Sequence, residues 1–265
     1  MEILMTLDAI TQNFYRDAMD VLNEEGIPFL VGGAFALGVY TGIERDTKDF
    51  DLMMRGSHVP GALDAFQRRG FRAGIVFSHW LAKVHLGQNF VDIIYSSGNG
   101  LCPVDDEWFQ AAQEAHLWGA QVLVSPPEEL IWQKAYIMER ERYDGADVAH
   151  LLAHCAERMD WARLERRFEA DWRVLLSHLV LFGYIYPSKR SLIPQGLWTS
   201  LLRRASEDRD VPGDTTCQGT FLSRAQYLED VERRGFADAR RSERCQMTDG
   251  DIRAWTDAIP PHLIC

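Results

Sequence analysis

Asp49 and Asp51 stand two apart in Arg45-Asp46-Thr47-Lys48-Asp49-Phe50-Asp51-Leu52. On a strand, side chains two apart share a face, so both carboxylates project together while Phe50 and Leu52 enter the core. Two convergent carboxylates make a magnesium site. In two-metal phosphoryl and nucleotidyl transfer the ions sit about 3.5–4 Å apart and clamp the attacking and leaving oxygens, which asks for a third acid from a neighbouring strand. Asp92 is the candidate. It is the lone acid in Phe90-Val91-Asp92-Ile93-Ile94, where a buried carboxylate is costly without a cation or a donor. Upstream, Gly32-Gly33 allows backbone amides to approach phosphate oxygens, and the helix that follows adds a favourable dipole. Taken singly, the acid pair also reads as a solvated strand end, Asp92 as a strand edge and Gly-Gly as an ordinary tight turn. Their joint order favours a site.

The elements around these residues follow from periodicity. Leu7, Ile10, Phe14, Ala18 and Val21 recur at helical spacing, which predicts an amphipathic helix to about Glu25, ended by Gly26. A strand over Ile27 to Val31 runs into the glycines, a helix covers Ala34 to Tyr40 and stops at Gly42, and Phe50 to Met54 is the next strand. A helix carrying Ala62, Leu63 and Phe66 closes at Gly70. Strands follow at Phe71 to Phe77, Leu81 to Leu86 and Asn89 to Tyr95, the last two joined by a Gly87-Gln88 hairpin turn. After a loop and a region rich in Asp, Glu and Trp comes a strand at Gln121 to Val124, where the sheet signals stop. Ser125-Pro126-Pro127-Glu128 has the pattern of a capped helix start, with the helix running to about Arg142. Helices are expected from about Asp144, over Trp161 to Phe168 and over Trp172 to Tyr184. The chain thus divides into an α/β domain, 1–125, and a helical domain, 126–265, in which 126–186 packs on the site and 187–265 is less regular.

Composition narrows the function classes. The 265 residues are 46% hydrophobic, and no apolar run approaches the roughly 20 residues of a membrane span. The N-terminus lacks a signal pattern, so the chain reads as cytoplasmic and unattached to membrane. Five scattered cysteines without a Cys-x-x-Cys pair indicate neither a disulfide framework nor a zinc knuckle. A formal charge of −11 argues against nonspecific nucleic-acid binding. Of the 28 basic residues all but Lys48, Lys83, Lys134 and Lys189 are arginine.

Gly32-Gly33-Ala34, then Arg45, Thr47, Asp49 and Asp51 at alternate positions, then Asp92, resemble the nucleotidyltransferase fold of the DNA polymerase β superfamily. Within it the pattern is most similar to the bacterial group of AbiEii-type toxins and small antibiotic nucleotidyltransferases. The resemblance covers about residues 27 to 155. It implies an α+β fold, a polymerase β-like mixed sheet with flanking helices, followed by a mostly helical C-terminal region. It also implies that Gly32, Gly33, Arg45 and Thr47 bind the nucleotide, that Asp49, Asp51 and Asp92 are catalytic and hold two Mg2+ ions, and that an NTP is the donor. Lys134, Asp144 and Asp147 look like the lysine and the later Lys-Asp-x-x-Asp element of the toxin-like group, with Tyr143 in place of the usual basic residue. Other readings stay open: Lys134 as a snorkelling surface lysine, Asp144 and Asp147 as a helix cap and its third-position acid, Arg45 as a partner of Asp46 or Glu44, and Lys48 as solvated or acceptor-side.

The expected activity is transfer of a nucleoside monophosphate from an NTP to an acceptor, which is a small molecule, a tRNA or a protein, with release of pyrophosphate. A nucleotide-binding or toxin-antitoxin partner of the same fold without turnover is the alternative. An Asp-x-Asp glycosyltransferase leaves Gly32-Gly33 and Asp92 unexplained. His150 and His154 lie four apart but lack a zincin glutamate, which leaves packing histidines. Arg233, Arg234, Arg240, Arg241 and Arg244 read as a solvated face, and the tryptophans as core.

Overall fold

The computed structural model describes residues 2–3, 8–45, 47, 49–260 and 262, and of residues 2 and 3 the backbone only. Leu7, Asp46 and Lys48 therefore lie outside the described residues, as do the expectations attached to them. In chain order the first elements are β1 (Glu2–Ile3), α1 (Ala9–Glu24), β2 (Leu30–Val31), α2 (Gly33–Thr41), β3 (Asp51–Met53) and α3 (Val59–Arg68). Then come β4 (Arg72–Phe77), β5 (Leu81–Leu86), β6 (Asn89–Ile94), α4 (Asp106–Gln110), β7 (Gln113–Leu117) and β8 (Ala120–Val124). The remainder is α5 (Pro127–Ala135), α6 (Gly145–Cys155), α7 (Trp161–Phe168), α8 (Trp172–Ile185), α9 (Gln195–Glu207), β9 (Thr216–Cys217), α10 (Leu228–Glu232), β10 (Ala237–Asp238) and α11 (Asp249–Asp257). None of the described helices is long and apolar enough to cross a membrane.

The chain forms two compact units, Met1–Pro126 with Gln246–Ala254, and Pro127–Cys245 with Trp255–Cys265. The first is a mixed α/β unit. Its eight-stranded sheet runs β1-β7-β8-β2-β3-β6-β5-β4, with parallel pairs at β1/β7, β8/β2 and β3/β6 and antiparallel pairs elsewhere. Phe50 packs into an aromatic core with Tyr15 stacked at 4.6 Å, Phe35 edge-on at 5.1 Å and Trp118 at 5.6 Å. Burying rings of this size contributes about 2 kcal/mol each. That anchor fixes the strand on which the acids sit.

Several expectations need correction. Strand β7 was not anticipated. It pairs with β8 across a turn at Trp118 and Gly119, both at positive φ, and its outward residues Gln113, Glu114 and His116 hid the alternation of buried Ala115 and Leu117. The sheet signals do not end at Val124, because β9 and β10 form a small parallel pair. Ser125 does not cap α5: its amide donates to the Val31 carbonyl at 2.9 Å, so the residue still belongs to the sheet ladder, and its buried hydroxyl has no hydrogen-bond partner among the described residues. Nor does Glu128 complete a capping box, since it accepts from the Asp160 amide at 2.6 Å and from Arg163. Helix α5 ends at Ala135, not Arg142, because a reverse turn intervenes, with Met138 bridged to Tyr143 and the Glu139 amide donating to Arg142 at 2.8 Å. His154 is exposed and bonds its own helix carbonyl at His150, and Arg240 is buried against Asp238 at 2.7 Å, so neither fits the packing or solvated reading given to it.

Within the second unit, fully buried Glu129 faces Arg163 Nε at 3.3 Å and Arg167 Nε at 3.2 Å, while its Oε2 has no hydrogen-bond partner among the described residues. Burial pushes its carboxyl up to about 7 against the pull of the two guanidinium groups. The folded state thus holds a proton that the unfolded chain has released. Its stability contribution is complete below the unfolded value of 4.5 and is lost as pH rises through about 7. Calorimetric melting of Glu129→Gln between those limits is expected to show a flatter dependence of Tm on pH than the wild type. Parallel curves would refute the assignment.

Candidate active site

Parallel pairing of β3 with β6 sets Asp51 directly opposite Asp92, and antiparallel pairing of β5 with β6 sets Lys83 opposite Asp92. Three strands therefore present a row, Asp51–Asp92–Lys83. Lys83 Nζ donates to Asp92 Oδ1 at 2.6 Å and lies 4.2 Å from the centre of the Phe90 ring, two residues along on the same face. Burial raises the Asp92 carboxyl above its ordinary value despite the Lys83 ammonium, and the charge of Asp49 adds to the rise. Asp49 itself precedes β3 and is exposed, so the acids do not share one strand as expected.

Gly32 and Gly33 form the head of α2. The Gly32 amide donates to the Asp51 carbonyl at 2.9 Å, closing the turn onto β3. Gly33 has φ of +54°, and a Cβ built there falls 2.7 Å from Asp51 Cγ. Glycine is required on both counts. The N-terminus of α2 is in this way set beside a carboxylate. The acids reach Tyr15 as well. Burial first, then the charges of Asp49, Asp51, Asp8 and Asp92, push its phenol up to about 12.

The other expected site residues divide. Thr47 Oγ1 accepts from the Asp49 amide at 3.2 Å and donates to the Asp49 carbonyl at 3.1 Å, a local turn that orients Asp49. Arg45 is exposed. In the second unit, Lys134 Nζ lies 2.9 Å from Asp144 Oδ2 and 2.7 Å from Asp147 Oδ2, and Arg142 holds Asp144 through two bonds of 3.0 Å. The structure thus joins Lys134 to both acids of the Asp-x-x-Asp element, and Lys134 is no snorkelling lysine. The Asp144 side chain makes no cap bond to α6. Burial works to raise its carboxyl, but Arg142 and Lys134 outweigh it and hold it below the ordinary range. The turn that carries Tyr143 and Asp144 is braced by the C-terminal extension, through Met138 N to Leu222 O at 3.1 Å and Ser223 Oγ to Glu139 Oε2 at 2.5 Å.

Asp49, Asp51 and Asp92 offer only hard carboxylate oxygens, the donor type of Mg2+, which takes one or two carboxylates and fills its shell with water and substrate phosphates. The donor type suits such an ion. Among the described residues no three His, Cys, Asp or Glu side chains converge on a single point, and Asp92 Oδ1 is taken by Lys83. Lys83 had no assigned role in the sequence. The two-residue turn at Gly87-Gln88 contained it, because pairing outward from Leu86↔Asn89 places Lys83 on Asp92.

No protein-family model matches the chain, and no curated protein sequence matches it. Solved structures do. The chain is similar to the solution structure of the antibiotic-resistance factor ANT(2'')-Ia, at 17% identity and a TM-score of 0.47, over 65% of this chain and 98% of that one. It is similar to an antigenic nucleotidyltransferase-like protein from Paracoccidioides brasiliensis, at 15% identity and a TM-score of 0.45, over 70% of this chain and 93% of that one. For the lincomycin-bound lincosamide antibiotic adenylyltransferase LnuA the values are 15% and 0.38, over 53% and 94%.

Proposed function

We propose that this protein is a magnesium-dependent nucleotidyltransferase that moves a nucleoside monophosphate from an NTP to an acceptor and releases pyrophosphate. The observation that carries this reading is the packing of Gly33, at the head of α2, against Asp51, whose register partner is Asp92. Backbone amides suited to phosphate oxygens there adjoin carboxylates suited to a cation, the two needs of a metal-bound NTP. Asp51 and Asp49 would hold the ion, with Asp92 completing the acidic row. Once bound, the ion supplies charge stabilisation at the phosphoryl oxygens. The amides at the head of α2 from Gly33 onward would hold the phosphates, Gly32 closes the turn beneath them by donating to the Asp51 carbonyl, Arg45 offers an exposed cation to the phosphates, and Thr47 fixes the loop that aims Asp49. For Lys134, Asp144 and Asp147 the expected nucleotide contact rests on the resemblance alone.

Calorimetric titration of each of the four NTPs, in magnesium and in EDTA, tests the site. Binding is expected in magnesium only, and weaker by about tenfold or more in Asp49→Ala; equal binding by both proteins would refute the assignment. Specific to the second reading, a nucleotide-binding protein without turnover, is the engagement of Asp92 by Lys83. Transfer of label from α-labelled NTPs to any component of a cell extract decides for the enzyme.

A further inference from the structure

We propose that Lys83 is a built-in cation: its ammonium engages and neutralises Asp92, the acid that a second divalent ion would need, so that the acidic row binds one divalent ion with the NTP. This rests on the nucleotidyltransferase reading above and says how that site is charged. Three observations hold Lys83 in place. Antiparallel register puts it opposite Asp92, its Nζ lies 2.6 Å from Asp92 Oδ1, and the Phe90 ring supports the ammonium at 4.2 Å. The lysine is tethered on the outer side of the row, with Asp92 between it and Asp51. A divalent ion coordinated by Asp92 would stand within a few ångströms of this ammonium, and two cations at that separation repel strongly in a half-buried site. Asp92 is itself buried, so its charge needs a permanent partner in the absence of nucleotide. A lysine on the adjacent strand provides one. Its two remaining N–H groups are free in number to meet a phosphate or acceptor oxygen.

The probe is Mn2+, titrated into protein saturated with a non-hydrolysable α,β-methylene NTP analogue, with free Mn2+ read by electron paramagnetic resonance. Wild type is expected to hold one ion per chain, Lys83→Met two, and Lys83→Arg one. Methionine keeps the apolar stem against Phe90 and removes only the charge. Two ions in wild type, or in Lys83→Arg, would overturn the proposal, as would a single ion in folded Lys83→Met. Should Lys83→Met not fold, the wild-type and Lys83→Arg counts decide. Failure of the underlying reading looks different: no nucleotide-dependent Mn2+ is held by any of the proteins.

Discussion

Asp51→Asn is expected to lower nucleotidyl transfer about 10³-fold, equivalent to about 4 kcal/mol of transition-state stabilisation, while the fold stays intact. The substitution keeps the shape of the side chain beside Gly33 and removes its charge. Asp51 is the acid common to both halves of the site, since it faces Asp92 across β3 and β6 and lies against the head of α2. Stability should hold or rise slightly, because one of several neighbouring like charges is gone. Tyr15 supplies a readout independent of turnover. Part of the rise in its phenol comes from Asp51, so ultraviolet titration of the variant should place the phenol lower than in wild type. Pyrophosphate release, melting temperature and tyrosine titration together decide. Unchanged release would remove Asp51 from the chemistry.

Gly33→Ala is expected to destabilise the first unit by roughly 3 kcal/mol, of which about 1 is the cost of a left-handed backbone, and to weaken NTP binding about 10²-fold. The added methyl group would meet the Asp51 carboxylate, and neither partner can yield: Gly33 is fixed by α2 and Asp51 by β3. Gly32→Ala is the control. There the Cβ meets the Met53 side chain, with Cγ at 3.0 Å, and φ is −119°, so a flexible thioether can move aside. Calorimetric melting and NTP titration of both variants should rank Gly33→Ala well below Gly32→Ala. Equal losses would show that crowding of Asp51 is not what makes Gly33 necessary.

Local signals explain what the sequence disclosed. Strand, double glycine and helix follow from apolar runs and φ freedom, and α2 appears from Gly33 to Thr41 with Gly42 at its end. The Lys83–Asp92 pair was contained in a two-residue turn, so counting register outward from the hairpin recovers it. Pairing of Asp51 with Asp92 was inferred from chemistry alone, because nothing local sets the register of two parallel strands so far apart in sequence. The end of α5 was hidden for a different reason. Tyr136, Ile137 and Met138 continue an apolar pattern, yet Met138 is claimed by the Leu222 carbonyl and the Gln226 amide, and those contacts turn the chain back toward Asp144. Tertiary partners outweighed periodicity there. The same holds for Ser125, whose sequence context is a helix cap and whose backbone belongs to a sheet.

The return of Gln246–Ala254 to the first unit sets an order of assembly on the ribosome. Asp251 bonds the Ser78 hydroxyl, lies 3.7 Å from His79 Nδ1 and is tied to Thr248 at 2.6 Å. None of these bonds exists until the segment after Cys245 has been made. At 5–20 residues per second, roughly ten seconds pass between emergence of the last strand of the sheet and arrival of Asp251. Throughout that interval the whole of Pro127–Cys245 is being synthesised, and the acid-bearing sheet waits for its final tie.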